Sequence, residues 1–270
     1  MYPYDIIPGT GINLYVICLG LAAVAAVLSF RKLADVAGLS AKVQNMSVYT
    51  AVLAIVLGYG SAVLFQSFYN MLAEGVFSID SKTGSTFYGG LIGGVVAFIA
   101  IYFIWGKFKF DDDTYKKEFS GVVNVAPAAI TLAHSIGRIG CLMAGCCYGS
   151  RTESWCGITM KNLAYKVIPT QLFEALFLLL LFLVIAYRIY GKKNFNMPIY
   201  MVGYGFWRFF VEFLRADDRG ETIVSFLSPS QLIAIIMMIA GVVLFFLQKR
   251  ILVKQSSVVP DEEENNDEQQ

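Results

Sequence analysis

Apolar residues in this chain come in long unbroken runs, not in the alternation of a half-buried strand or the narrow stripe of a soluble surface helix. Seven windows are long enough to cross a bilayer, for which about 20 residues are needed. They span roughly 12–30, 48–72, 87–106, 122–145, 169–190, 197–214 and 229–248. The pattern predicts an all-α polytopic membrane protein with seven transmembrane helices. The fourth window is interrupted by Arg138, and the sixth by Arg208 and Glu212. A charge near the centre of a span costs about 2.5–3.5 kcal/mol on insertion scales, so such residues face polar cavities and mark function.

Composition agrees with the pattern. The chain is 57% hydrophobic and 15% charged, whereas soluble domains are roughly 45–50% apolar and about a quarter charged. Thirteen of the 21 lysines and arginines fall in or beside the segments 31–47, 107–121 and 188–196 and after residue 248; six fall in the opposite loops. The positive-inside rule then puts the basic side in the cytoplasm, with the N-terminus outside and the C-terminus inside. The segment MYPYDIIPGTG has no basic residue, so it lacks the positively charged start of a cleavable signal peptide. Residues 1–250 are expected to form one transmembrane domain, and 251–270, ending PDEEENNDEQQ, a disordered acidic cytoplasmic tail. No basic-aromatic patch points to nucleic acid.

Two outer loops are long enough for small structured pieces, 73–86 and 150–168. Cys156, in the second, lies outside the cytoplasm near Cys146 and Cys147, where a disulfide with either is one reading and free thiols the other. Cys18, in an apolar helix, reads as a small hydrophobe. The spacing C-x₄-C-C-x₈-C is not the paired knuckle of structural zinc, and on a continued helix Cys141 would point away from Cys146. No metal or cofactor is therefore expected. A catalytic Cys–His pair is weak as well, because His134 precedes Cys141 by two helical turns.

Two further patches complete a constellation. FYGGLIGG at 87–94 places Tyr88 at the outer entrance of the third span, beside glycines that permit close approach of a helix or a ligand. In GYGFWRFFVEFLR, at 203–215, Tyr204, Arg208 and Glu212 recur every four residues and share a helical face.

The ordered series FYGGLIGG, GRIGCLMAGCCYG, PTQLFEA, YGFWRFFVEFLR and LSPSQL resembles the phosphatidylglycerol–prolipoprotein diacylglyceryl transferase family over most of the seven windows. The resemblance implies transfer of a diacylglyceryl group from phosphatidylglycerol to the sulfur of a lipobox cysteine, with release of glycerol 1-phosphate. It further implies a multi-pass protein of the bacterial plasma (inner) membrane, whose partners are the lipid donor, a prolipoprotein signal peptide and the bilayer. The family signature GRxGNFxNxExxG matches at Gly137, Arg138, Gly140 and Gly149, and its second essential arginine falls on Arg208. Its tyrosines fall on Tyr204 and, in the first span, Tyr15. The catalytic candidates are Arg138 and Arg208, which the resemblance implies, with Tyr88 at the place of a family histidine and Glu212 from its position beside Arg208. Tyr15, Gly89, Gly90, Gly137, Gly140, Cys141, Cys146, Gly149 and Tyr204 are implied to meet substrate.

Departures from the family are specific. Its asparagines fall on Cys141 and Ala144, its glutamate on Cys146 and a histidine on Tyr88, and an arginine-bearing patch is replaced by Gly60-Ser61-Ala62-Val63. The chain reads as a divergent branch that keeps the phosphate-handling arginines. Two guanidiniums can grip the headgroup bidentately and stabilise charge as glycerol phosphate departs. A thiol acceptor, with pKa about 8.5, needs only modest help to ionise. Tyr88, with an ordinary pKa of about 10, is a poor base; Glu212 or a substrate phosphate oxygen stands as the alternative. The same donor with another thiol or hydroxyl acceptor, and a lipid-binding protein without catalysis, remain the other readings.

Overall fold

The computed structural model describes residues 13–75, 77, 79, 83–84, 86–160, 163–215 and 227–256. Among these are seven α-helices: α1 Leu14–Val36, α2 Ala41–Glu74, α3 Phe87–Lys109, α4 Thr114–Ala144, α5 Thr170–Tyr190, α6 Asn196–Val211 and α7 Pro229–Ser256. A two-stranded ribbon, β1 Ile158–Thr159 and β2 Lys166–Val167, interrupts them. Six helices are long and apolar enough to cross a membrane, which makes the chain an all-α, multi-pass membrane protein. The exception is α6. Its 16 residues reach about 24 Å, short of a core about 30 Å thick; a 3₁₀ turn over Glu212–Leu214 continues it. Large apolar side chains such as Leu28, Ile55, Val96, Leu180 and Phe246 lie exposed along the helices, faces that only lipid satisfies.

α2 and α4 begin about two turns before their apolar windows. Polar caps explain the extension of α2. Ser40 accepts from the Val43 amide, while its own amide and hydroxyl donate to Glu118 Oε2 at 2.8 and 3.0 Å. α7 likewise runs through Ser256, six residues into the segment expected as tail; residues 257–270 lie outside the described part.

The packing divides the chain into two units, one formed by Arg31–Val123 and the other by residues up to Phe30 together with Asn124 onward. In the first unit α2 and α3 meet closely: a β-carbon on Gly58 would lie 3.0 Å from the Gly90 carbonyl oxygen. Ser61 Oγ donates to the Gly89 carbonyl at 2.9 Å. The buried Tyr102 donates to the Tyr115 carbonyl at 2.9 Å and packs on Phe119. In the second unit the fully buried Asn196 ties three elements together. Its amide donates to Asn124 Oδ1 at 3.1 Å, and its Oδ1 accepts from Arg188 Nε at 2.9 Å. α6 and α7 pack tightly where a β-carbon on Gly205 would lie 2.9 Å from the Ala234 carbonyl oxygen.

Candidate active site

The charged side chains that interrupt the apolar windows converge in the second unit. On α4, His134 and Arg138 are four residues apart and so share a face. Facing them from α5 is Glu174, 1% exposed and the centre of the group. Arg138 Nε lies 3.0 Å from Glu174 Oε2, and Tyr204 of α6 donates to Glu174 Oε1 at 2.7 Å. His134 Nε2 stands 3.9 Å from the same oxygen, its ring edge-on to Tyr204 at 5.2 Å. The Arg138–Glu174 contact is an ion pair whose N–H is not directed along the line between the atoms. Glu174 takes Nε, and the two terminal nitrogens of Arg138 make no hydrogen bond to the described residues. That leaves the planar fork for an oxyanion.

One turn beyond Tyr204, Arg208 forms a second pair. Its Nη2 is 3.0 Å from Glu212 Oε2 and donates to Ser230 Oγ at 2.9 Å. Its Nη1 is buried with no hydrogen-bond partner among the described residues. Ser228 Oγ donates to Glu212 Oε1 at 3.1 Å, and Glu212 serves as counter-charge to Arg208. A buried donor without a partner costs on the order of 1–3 kcal/mol, a cost that a ligand acceptor would remove.

The shared face expected of Tyr204, Arg208 and Glu212 divides in two: Tyr204 turns to Glu174, whereas Arg208 and Glu212 pair with each other. Tyr15 of α1 packs on Gly140, its Cδ2 3.2 Å from where a β-carbon there would stand. A β-carbon on Gly137 would meet nothing within 4 Å. Gly149 admits no side chain, because a β-carbon would lie 2.5 Å from the Leu214 carbonyl oxygen. Its amide donates to the Ile168 carbonyl at 2.8 Å, and it bridges to Arg215, next to the β1–β2 ribbon. In the other unit, Gly89 and Gly90 pack on Phe65 and Ala62, and Tyr88 lies in the first turn of α3 with its side chain outside the described part.

One expectation is corrected. Cys141 does not point away from Cys146, because the helix stops at Ala144. Gly145 turns left-handed at φ 71°, its amide donating to Leu142 and the Cys146 amide to Cys141 at 3.1 Å. This Schellman stop folds the chain back on the last turn. The sulfurs of Cys141, Cys146 and Cys147 consequently lie within 4.8 Å of one another. Thr170 Oγ1 donates to the Cys147 carbonyl at 2.9 Å and Gln171 Nε2 to the Cys146 carbonyl at 2.6 Å, both from buried positions at the start of α5. Hydrogen bonds from Cys141 and Cys146, with the Arg215 guanidinium nearby, hold the Cys147 thiol below the ordinary thiol range; the same bonding pushes Cys146 up. All five cysteines are free thiols, the second of the two readings, and Cys156 contacts Ser154 Oγ at 3.4 Å.

The model of the prolipoprotein diacylglyceryl transferase family matches residues 4–247, nearly the whole chain. The chain belongs to that family. Its similarity to phosphatidylglycerol–prolipoprotein diacylglyceryl transferase 2 of Clostridium perfringens is 32% identity over 239 residues, covering 85% of this chain and 88% of the relative. With the corresponding transferase of Finegoldia magna it shares 32% over 231 residues, 84% and 87% of the two chains. With that of Clostridium tetani the figure is 34% over 163 residues, 58% and 61% of each.

The geometry brings out residues that the motifs alone do not. Glu174 is the only charged residue between Lys166 and Arg188, and by the same rule that singled out Arg138 an acidic residue inside an apolar helix carried the signal. Thr170 and Gln171 lie in the PTQLFEA motif itself, but nothing in their type foretold that they would clamp the cysteine turn. Ser228 and Ser230 lie in LSPSQL and hold the second arginine pair.

Proposed function

We propose that this protein transfers the diacylglyceryl group of phosphatidylglycerol to the lipobox cysteine of prolipoproteins, releasing glycerol 1-phosphate. The supporting observation is the pair of buried guanidiniums, Arg138 and Arg208, each held by a carboxylate through one edge while keeping other nitrogens unengaged. Each arginine is neutralised on one side, so the unliganded site is tolerable in the membrane; the free nitrogens meet the headgroup phosphate. As the ester bond to the glycerol carbon breaks, the leaving phosphate goes from one negative charge to two. Donors fixed beforehand at low dielectric stabilise that change without reorganising.

In this reading Glu174 and Glu212 orient the two arginines and Tyr204 orients Glu174. Tyr15 packs on Gly140 of the signature helix. The chain crosses the bacterial plasma membrane seven times with its N-terminus outside, α6 and its 3₁₀ turn making the sixth crossing. The cysteine turn and the outer ribbon then lie at the outer surface, where lipobox peptides emerge.

Purified protein in detergent, given phosphatidylglycerol labelled in its headgroup and a lipobox peptide, is expected to release labelled glycerol phosphate. The peptide should gain the mass of a diacylglyceryl group in equal amount. Binding of the lipid with neither product would overturn the transferase reading.

A further inference from the structure

We propose that Cys141, Cys146 and Cys147 bind a zinc-class dication through three thiolates, with the fourth coordination position open to the thiol of the acceptor. The clause concerning the acceptor rests on the transferase reading; the metal site does not.

Three sulfurs of one short turn lie within 4.8 Å of one another. With zinc–sulfur bonds of about 2.3 Å, sulfurs sharing one ion stand about 3.8 Å apart, so the thiols need close by only about an ångström, within the reach of side-chain rotation. The expectation against metal assumed a continuous helix and knuckle spacing. The Schellman stop at Gly145 replaces that geometry with a cradle. Its backbone is already fixed: Thr170 and Gln171, both buried, hold the Cys147 and Cys146 carbonyls from outside the ligand set. Cys147 itself sits at φ 62°, a conformation rarely adopted by a residue with a side chain, which directs its sulfur to the other two. A disulfide would use two of the three thiols and leave the third over; an ion uses all of them.

Charge favours the same occupant. A dication on three thiolates leaves one negative charge, and the Arg215 guanidinium beside Cys147 offsets it. Cys146 is exposed, so the cluster is open to an exchangeable ligand. Three protein ligands with one open position is the arrangement of reactive zinc, whereas structural sites are closed by four.

The open position fits the reaction this family performs. Cys146 occupies the place of the signature glutamate, and Tyr88 that of a histidine, so the chain lacks those two polar groups. An acceptor thiol that coordinates the ion gives its proton to solvent and remains bound as thiolate. That sulfur attacks the glycerol carbon of the lipid; the C–S bond forms and the C–O bond to phosphate breaks. The bonding pair goes to the departing glycerol phosphate, and Arg138 and Arg208 receive the added charge.

The test uses the full chain, purified reduced and without air, loaded with Zn²⁺, desalted and analysed for metal. One zinc per chain is expected in the native protein and in Cys156→Ser and Cys18→Ser variants. Cys147→Ser and Cys141→Ser, which keep size and fold, should retain none. Absence of zinc from the native protein, or equal retention in those two variants, overturns the site; so does a disulfide among the three after anaerobic purification. With Co²⁺ in place of zinc, a lipobox peptide should raise the sulfur-to-metal charge-transfer band by about a third, as three sulfur donors become four. A peptide with serine for cysteine should leave it unchanged. A band that ignores the cysteine peptide overturns the open position. Glycerol phosphate release measured on the same preparations keeps the two readings apart: release without retained zinc refutes the metal site alone, and zinc without release refutes the transferase alone.

Discussion

Tyr204 and Glu174 are joined by a hydrogen bond of 2.7 Å, and through the other oxygen of that carboxylate the bond reaches Arg138. Three helices, α4, α5 and α6, thus meet on one buried acid. Tyr204 is bonded to Glu174, and Glu174 in turn pairs with the Nε edge of Arg138. Replacing Tyr204 by phenylalanine removes one hydrogen bond to a charged group, about 1.5–3 kcal/mol. Glu174→Gln leaves a buried guanidinium without its counter-charge, which costs about 3–5 kcal/mol when one partner of a buried pair is lost. Thermal unfolding in detergent should rank native, Tyr204→Phe and Glu174→Gln in falling order. An unaltered midpoint for Glu174→Gln would contradict the pairing.

For the arginines the relevant quantity is rate. Arg138→Lys and Arg208→Lys keep a positive charge but lose the planar fork. One charge-assisted hydrogen bond is worth about 1.5–3 kcal/mol, hence about a tenfold to hundredfold loss in glycerol phosphate release. Alanine at either position should cost more, since the headgroup then faces an unneutralised carboxylate. Full activity in a properly inserted Arg208→Ala protein would reduce that arginine to a structural role.

How far these features were legible in the sequence depends on what carried them. Arg138, Arg208 and Glu212 were visible because a charge inside an apolar run is conspicuous and costly. Glu174 was just as conspicuous by that rule, yet lies near the start of an otherwise pure window, where it reads as a boundary. The early starts of α2 and α4 were hidden because hydropathy registers the membrane core and not capped polar turns such as Ser40 with Glu118. The cysteine cluster was hidden for a different reason: helical projection was carried past Gly145, and a left-handed glycine annuls projection. The close meeting of α2 and α3 at Gly58 and Gly90 depends on a partner helix that local sequence does not reveal.

Gly149 matches the final glycine of the signature, and its reason is steric. A β-carbon would stand 2.5 Å from the Leu214 carbonyl and 2.9 Å from Thr170 Cγ2. The carbonyl is backbone and cannot rotate away, so Gly149→Ala must separate the strand after the cysteine turn from the 3₁₀ segment before Arg215. Overpacking of this kind costs about 1–3 kcal/mol. Faster cleavage of the 150–168 loop by protease added to the purified protein should report it, with α5–α7 left intact. Unchanged protection would show that the two segments part without cost.

The membrane orientation yields the last expectation. By the positive-inside rule the split of thirteen basic residues against six predicts that residues 37–40, 110–113 and 191–195 face the cytoplasm. The short joints there are fastened by polar contacts, Ser40 with Glu118 and Asn124 with Asn196, so single cysteines are best introduced at exposed positions beside them, such as Asp112 and Lys192. In a protein whose native cysteines are serine, an impermeant maleimide applied to intact cells should miss both and label Glu153→Cys in the outer loop; after permeabilisation all three should react. The control matters because α6 is short. If α6 and its 3₁₀ turn did not cross, α7 would still cross and the C-terminus would emerge outside, while Asp112 and Lys192 would keep their sides. A cysteine after residue 256 therefore decides the sixth crossing by itself: protection in intact cells establishes seven spans, and labelling there leaves six.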